Sequence, residues 1–313
     1  MSRGRNGLRL KTLKYNLELT SRCNLRCGMC PMDEIDRPYE DAPWWMVEKI
    51  AAEMKELGLK MRYLHELGEP LLYKKLPDAI DLFPGVCVST NATLLTEEKG
   101  REILSTSLSR IILSIDTLIP EVYAKSRGAK LEVVVENVRR FLELSRGKKI
   151  QVDIQRMIMP LTQRERTRDI EDFFELHKYP QARVTQKTCE GLDTSEVTEL
   201  HQAYYGCFQG TPYQWFVILA NGNVSHCCYD YDATQPLGNV KTQTIREIAS
   251  SPMLDIIEDG FKRHDFSKLP RCAECFKNPA AAPPVTDRVW MLAQKLPSYV
   301  KDPLRRFLNP TRT

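Results

Sequence analysis

Leu13, Tyr15, Leu17 and Leu19 alternate with polar or charged residues, the period of a strand with one buried face. Behind Pro43, Val47, Ile50, Ala51, Met54 and Leu57 fall on one face of a helix, and Gly58 suits its C-terminal cap. Further strands are predicted at 61–67, 86–89, 111–115 and 150–157, with a weaker one at 183–185. Helical spacing separates them at 76–83, 96–104, 132–144 and 165–177, the third marked by the stripe Val134, Val138, Phe141 and Leu142. Six strands alternating with helices imply a parallel sheet built from right-handed crossovers. A closed or partly closed barrel and an open doubly wound sheet both fit that alternation. In either, chemistry gathers at the C-terminal ends of the strands.

The alternation stops near residue 190. Residues 215–219 and 224–228 are strand-like and flank Asn221-Gly222, a pair suited to a tight hairpin whose two central residues take positive φ. Residues 280–313 open on Ala-Ala-Ala-Pro-Pro, a short linker. Beyond it Val289, Leu292, Leu296, Tyr299 and Val300 lie near helical spacing among Arg288, Lys295 and Lys301. A basic amphipathic segment suits a peripheral membrane surface or a protein face, and Pro297 and Pro303 keep any helix there short. The expected organisation is a first domain over 1–190, a second over 191–279 and a basic tail over 280–313.

Composition narrows the function. Of 313 residues 42% are hydrophobic and 27% charged, as in an ordinary soluble protein. The net charge of +4 is too mild to argue for a nucleic-acid partner. The basic N-terminus has no apolar run behind it, so it is no secretory signal, and no stretch has the apolar length of a membrane span. Ten cysteines without such a signal point to metal or redox use in the cytoplasm rather than to a disulfide scaffold.

Three of them stand together in Cys23-Asn24-Leu25-Arg26-Cys27-Gly28-Met29-Cys30, in the loop that leaves the first strand. Three thiolates can wrap one [4Fe–4S] cube and leave one iron open to a chelating small molecule, whereas electron-transfer clusters usually take four. Zinc prefers four ligands, normally two separated pairs, and an odd number excludes disulfides as the full account.

This Cys-x3-Cys-x2-Cys triplet after the first strand of a βα repeat resembles the radical SAM superfamily, over about residues 12–186, with Met29 where an aromatic residue is usual. The resemblance implies a partial (β/α)6 TIM-like barrel, S-adenosylmethionine (SAM) as cofactor and a reductant such as flavodoxin or ferredoxin. His65-Glu66-Leu67-Gly68-Glu69-Pro70-Leu71-Leu72 is similar to the stretch that holds the SAM amino group, which makes Glu69 its partner; Leu67 replaces the first of two usual glycines. Ser114-Ile115-Asp116 is similar to the ribose-contacting stretch, through Ser114, and Arg127 to the arginine facing the SAM carboxylate. His65 shares a strand face with Met61, Tyr63 and Leu67, and fits a site residue or a satisfied core histidine equally.

Cys207, then fourteen residues, Gly222, four residues, Cys227, and later Cys272-Ala273-Glu274-Cys275 resemble the single-cluster Twitch form of the SPASM domain, a small α+β unit with a β-hairpin. The resemblance implies a second [4Fe–4S] cluster on Cys207, Cys227, Cys272 and Cys275; read alone, these four cysteines fit a structural zinc equally. Adjacent strand residues face opposite ways, so Cys228 is expected to point away from Cys227, and with Cys189 to be a spare or packing thiol. Cys87 is expected in the core. Only 22 residues precede Cys23, so no peptide-binding domain is expected ahead of the barrel. The resulting expectation is an enzyme that oxidises a small sugar-like or aminocyclitol substrate, its second cluster accepting the electron. A radical epimerase with Cys189 or Cys228 as hydrogen donor, a peptide maturase, an electron carrier and a zinc-stabilised binding module remain open.

Overall fold

A computed structural model describes residues 9–159, 161–162, 165–188, 214–263 and 265–274. The chain divides into two compact units, residues 1–193 with 213–255, and residues 194–212 with 256–313. Cys189, Cys207, Cys275 and the 280–313 tail lie outside the described residues.

The strands of the first unit are β1 (Lys14–Leu17), β2 (Met61–Tyr63), β3 (Cys87–Thr90), β4 (Arg110–Ser114), β5 (Gln151–Ile158), β6 (Ala182–Thr188), β7 (Trp215–Ile218), β8 (Asn223–Ser225) and β9 (Gly238–Asn239). They form one sheet in the order β6-β5-β4-β3-β2-β1-β7-β8-β9. The first six run parallel, joined by α1 (Trp44–Leu57), α2 (Leu76–Leu82), α3 (Glu97–Leu104), α4 (Pro120–Arg127), α5 (Leu131–Leu144) and α6 (Thr167–Phe173). Parallel pairing demands such crossovers. Along β4 the alternation is complete: Ile111, Leu113 and Ile115 are fully buried, while Arg110 and Ser114 stand on the other face.

That other face is concave. His65 follows β2, and Lys187 lies on β6, four places away in the sheet. Laid flat, the two would be separated by roughly 19 Å at ~4.8 Å per strand. Yet the charges of Lys187 and of Arg110 on β4 both act on the His65 imidazole. The six strands therefore curl into a partial (β/α)6 barrel with these side chains facing its interior.

Four local differences from the sequence reading have physical causes. The ladder of β2 ends at Tyr63 instead of Leu67, because side chains take over the next backbone groups: the Ser89 N–H donates to His65 Nδ1 (3.0 Å) and the Leu67 N–H to Glu18 Oε1 (3.3 Å). The helix expected over 165–177 stops at Phe173, where Glu175 at φ 50° turns Leu176 and Tyr179 inward to buried positions. Helix α4 was not anticipated, although Pro120 at its first turn and Gly128 (φ 69°) at its C-terminus are its start and stop signals. The Asn221-Gly222 turn is a three-residue loop. Only Gly222 takes positive φ (88°), its N–H reaching Leu219 O at 2.8 Å, so a type I turn precedes one left-handed residue.

The hairpin does not stand apart from the barrel sheet. Strand β7 pairs in parallel with β1, Lys14 to Leu17 opposite Trp215 to Ile218. Glu18, fully buried, ties three elements at this seam. It forms a two-pronged ion pair with the Arg37 guanidinium (2.7 Å each), and its oxygens accept the N–H groups of Leu67 and Ala220. In the second unit, α9 (Pro270–Glu274) carries Cys272. The second-unit part of α8 (Pro252–Arg263) packs Phe261 edge-on against Phe266, with ring centroids 4.9 Å apart.

Candidate active site

The cysteine loop begins where β1 ends, so its thiols stand at the C-terminal rim of the sheet. Backbone bonds hold it in place: Cys30 N–H to Cys27 O (2.9 Å), and Gly28 N–H to Ser126 O (3.0 Å) at the end of α4. Cys23, Cys27 and Cys30 are free and half-buried. Burial pushes all three thiols above their usual range, Cys30 to about 11, and the mutual repulsion of their charges adds to it. Three desolvated sulfurs that raise one another's pKa need a cationic group to ionise together, and soft thiolates suit iron. Among the described residues no three His, Cys, Asp or Glu side chains close around a single ion, so the triplet is not drawn in as a mononuclear zinc site would be.

Glu69 lies beside them. Its N–H donates to Arg22 O (2.8 Å), and Gly68 (φ 79°) packs so closely that a Cβ would stand 2.2 Å from Thr20 O. No side chain fits there, which explains the Gly-Glu-Pro order next to the cysteine loop. Leu67 replaces the usual glycine without strain: it is buried and not at positive φ. The Glu69 carboxylate is 1% exposed and accepts from Thr90 Oγ1 (2.7 Å), Leu71 N–H (3.0 Å) and Asn91 N–H (2.8 Å). Burial raises its pKa, with those three bonds and Arg127 opposing. It is a fixed anion that a ligand's ammonium can meet. Asn91 reaches on to Asn24 Oδ1 (3.0 Å) and the Cys23 sulfur (3.9 Å), linking Glu69 to the loop.

Arg127, the last residue of α4, comes to the same place. Its guanidinium acts on both the Cys27 sulfur and the Glu69 carboxylate. One edge of it is committed to the fully buried Asp116, Nε at 2.6 Å and Nη2 at 2.8 Å, which leaves the other edge for a ligand carboxylate. Asp116 also accepts the Met157 N–H (3.1 Å), and so pins the arginine to β5. Ser114 closes β4 at 8% exposure, in register with Gln155 on β5. Sequence reading passed over Asp116 in favour of its neighbour Ser114; its spacing of eleven residues from Arg127 gave no local signal.

Deeper along the interior lie residues that sequence reading left uncertain or missed. His65 stacks edge-on against Tyr63 and accepts the Ser89 N–H, and burial drives its pKa to about 3, so it is neutral. Glu66 is raised to about 8, chiefly by burial. Cys87 is a core thiol, 5% exposed. Cys227 and Cys228 occupy a turn beyond β8, so strand alternation does not govern them. Contrary to the expectation of opposite faces, their thiols are hydrogen-bonded, which lowers the Cys227 pKa and raises that of Cys228.

A family model described as the radical SAM superfamily matches residues 17–176, and one described as an iron–sulfur cluster-binding domain, SPASM, matches residues 207–276. The probable GTP 3′,8-cyclase of Archaeoglobus fulgidus is 34% identical over 132 residues, 41% of this chain and 44% of that protein. A tungsten-containing aldehyde ferredoxin oxidoreductase cofactor-modifying protein of Pyrococcus furiosus is 33% identical over 112 residues, 34% of this chain and 32% of its own. The matches thus span less than half the length of these curated relatives. Among solved structures, BtrN in complex with AdoMet and 2-DOIA superposes with a TM-score of 0.56 at 18% identity, covering 88% of this chain and 96% of BtrN. The enzyme anSMEcpe with bound AdoMet gives 0.60 at 16%, covering 86% and 92%. Likeness at these identities is likeness of fold.

Proposed function

Because the chain belongs to the radical SAM superfamily, we propose that it cleaves SAM reductively and oxidises a small sugar-like or aminocyclitol substrate. Membership brings [4Fe–4S] clusters and SAM as its cofactors. Cys23, Cys27 and Cys30 hold the first cluster, and Cys207, Cys227, Cys272 and Cys275 the second. When bound, the first cluster with SAM supplies a 5′-deoxyadenosyl radical that takes a hydrogen atom from carbon, and the second supplies an acceptor for the electron left behind. The chain's own residues seat the cofactor. Glu69 receives the SAM ammonium, Arg127 offers its uncommitted edge to the carboxylate, and Ser114 meets the ribose. A one-electron donor such as flavodoxin or ferredoxin reduces the first cluster.

The observation that carries this reading is the convergence of the three thiols, Glu69 and the Arg127–Asp116 pair at one end of the sheet. The substrate class is supported by the likeness to BtrN, whose complex contains 2-DOIA. The test is anaerobic: reconstituted protein, dithionite, SAM and deuterated metabolites of the host. Deuterium in 5′-deoxyadenosine identifies the substrate and the carbon attacked; absence of any SAM cleavage sinks the reading.

One observation favours a second outcome on the same machinery. The Cys228 thiol lies within electrostatic reach of the interior Glu66, where a thiol can return a hydrogen atom to a substrate radical, giving epimerisation. Cys228→Ala separates the two: it abolishes an epimerase with iron retained and spares an oxidase.

A further inference from the structure

The barrel interior holds polar atoms that folding alone leaves unpaired. Asn16, next to the end of β1, is 5% exposed, and its Oδ1 has no hydrogen-bond partner. Its Nδ2 donates to Glu66 Oε2 at 3.3 Å. Across the sheet, the Thr185 hydroxyl on β6 is likewise buried without a partner. Thr185 is in register with Gln155, and Gln155 with Ser114, so it shares the inner face with the SAM-side serine. Two residues on, Lys187 acts electrostatically on Glu66, His65 and the Cys228 thiol, so it closes the ring from the far strand. Buried polar groups are rarely left unsatisfied, and one stranded in a native fold calls for a cause.

We infer that Asn16, Glu66 and Thr185 form the substrate-recognition wall, and that they select a small hydroxylated amine over the corresponding neutral polyol. The inference deepens the proposed function and rests on it for the location of the reacting carbon. The wall is rich in acceptors: the Asn16 carbonyl oxygen, the Glu66 carboxyl and the Thr185 hydroxyl oxygen. A ligand that satisfies them presents donors, and hydroxyl and ammonium groups are donors. Glu66 makes the distinction between them. A carboxyl in a dry interior gains most from a partner carrying positive charge, because a charge-assisted bond there is about twice as strong as a neutral one. His65 stays neutral on the same side and adds no competing cation. Lys187 is exposed and repels the ammonium from the β6 edge, which fixes the orientation: amine toward Glu66 and Asn16, hydroxyls toward Thr185.

The experiment uses the reconstituted protein with SAM and without reductant, so that binding is read and not turnover. Probes are myo-inositol and scyllo-inosamine, which differ by one amino-for-hydroxyl replacement. Titration calorimetry on the wild type should favour the amine by about tenfold or more, the worth of one bond to a charged group. In Glu66→Gln, a change of nearly equal shape, that preference should fall to within about twofold, while Thr185→Val should weaken both probes and keep the preference. A residue that merely supported the fold would weaken both probes equally in both variants. Equal binding of the two probes to wild type, or a preference that survives Glu66→Gln, overturns the inference. Reductive SAM cleavage without any probe is measured separately; its absence would sink the proposed function and leave the binding result standing.

Discussion

At the scale of single residues, the candidate site is a set of charges whose removal has distinct signatures. Cys30→Ala takes one ligand from the triplet, and reconstituted protein should then fall from about eight irons per chain to about four, with SAM cleavage lost; iron analysis and product detection check both. Asp116→Asn preserves shape but strips the anion from a buried guanidinium. Breaking a buried pair from one side costs about 3–5 kcal/mol, so the apo-protein should unfold at distinctly lower denaturant concentration. Glu66 sets a pH dependence. Its folded pKa of about 8 lies above the ordinary value near 4.5, so the folded protein keeps a proton that the unfolded chain releases. Raising the pH from about 5 to about 8 therefore erodes the stability of the apo-protein, and above that range both states are ionised and the loss levels off. Denaturation of Glu66→Gln across the same window should lack that decline.

At the scale of elements, legibility followed locality. The triplet was readable because its three ligands lie within eight residues, and α1, α5 and β4 because each carries its own apolar period over its whole length. What escaped were elements that side chains from elsewhere complete. The end of β2 is decided by Glu18 and His65 rather than by a ladder partner. Arg127 was found by resemblance, but its anchor Asp116 was not, since the pair joins the end of β4 to the end of α4. The thiol contact of Cys227 with Cys228 escaped because a turn replaces the strand on which alternation depends. Glu18 offers the test at this scale. Glu18→Gln leaves Arg37 buried without its counter-ion, at a cost of about 3–5 kcal/mol. Hydrogen exchange should then speed up at the Leu67 and Ala220 amides, which bond to the Glu18 carboxylate, more than at the ladder amides of β4 and β5.

At the scale of the molecule, the sheet brings its two cysteine-bearing segments onto adjoining strands: β1 leads into Cys23, and the β7–β8 hairpin leads into Cys227. Among the described residues no helix is long and apolar enough to cross a membrane.

The parallel pairing of β1 with β7 also sets a schedule. The two strands lie about two hundred residues apart in sequence yet hydrogen-bond side by side, a contact whose closure is slow because the chain between must be gathered first. During synthesis the ribosome releases β1 long before its second neighbour exists, and β1 waits as an open edge that any other extended chain can occupy. A nascent chain halted before Trp215 should therefore aggregate, and adding the hairpin peptide in trans should suppress that aggregation. Loading iron into the Cys23 loop only after the hairpin has docked would place the oxygen-sensitive step last in the life of the folding chain.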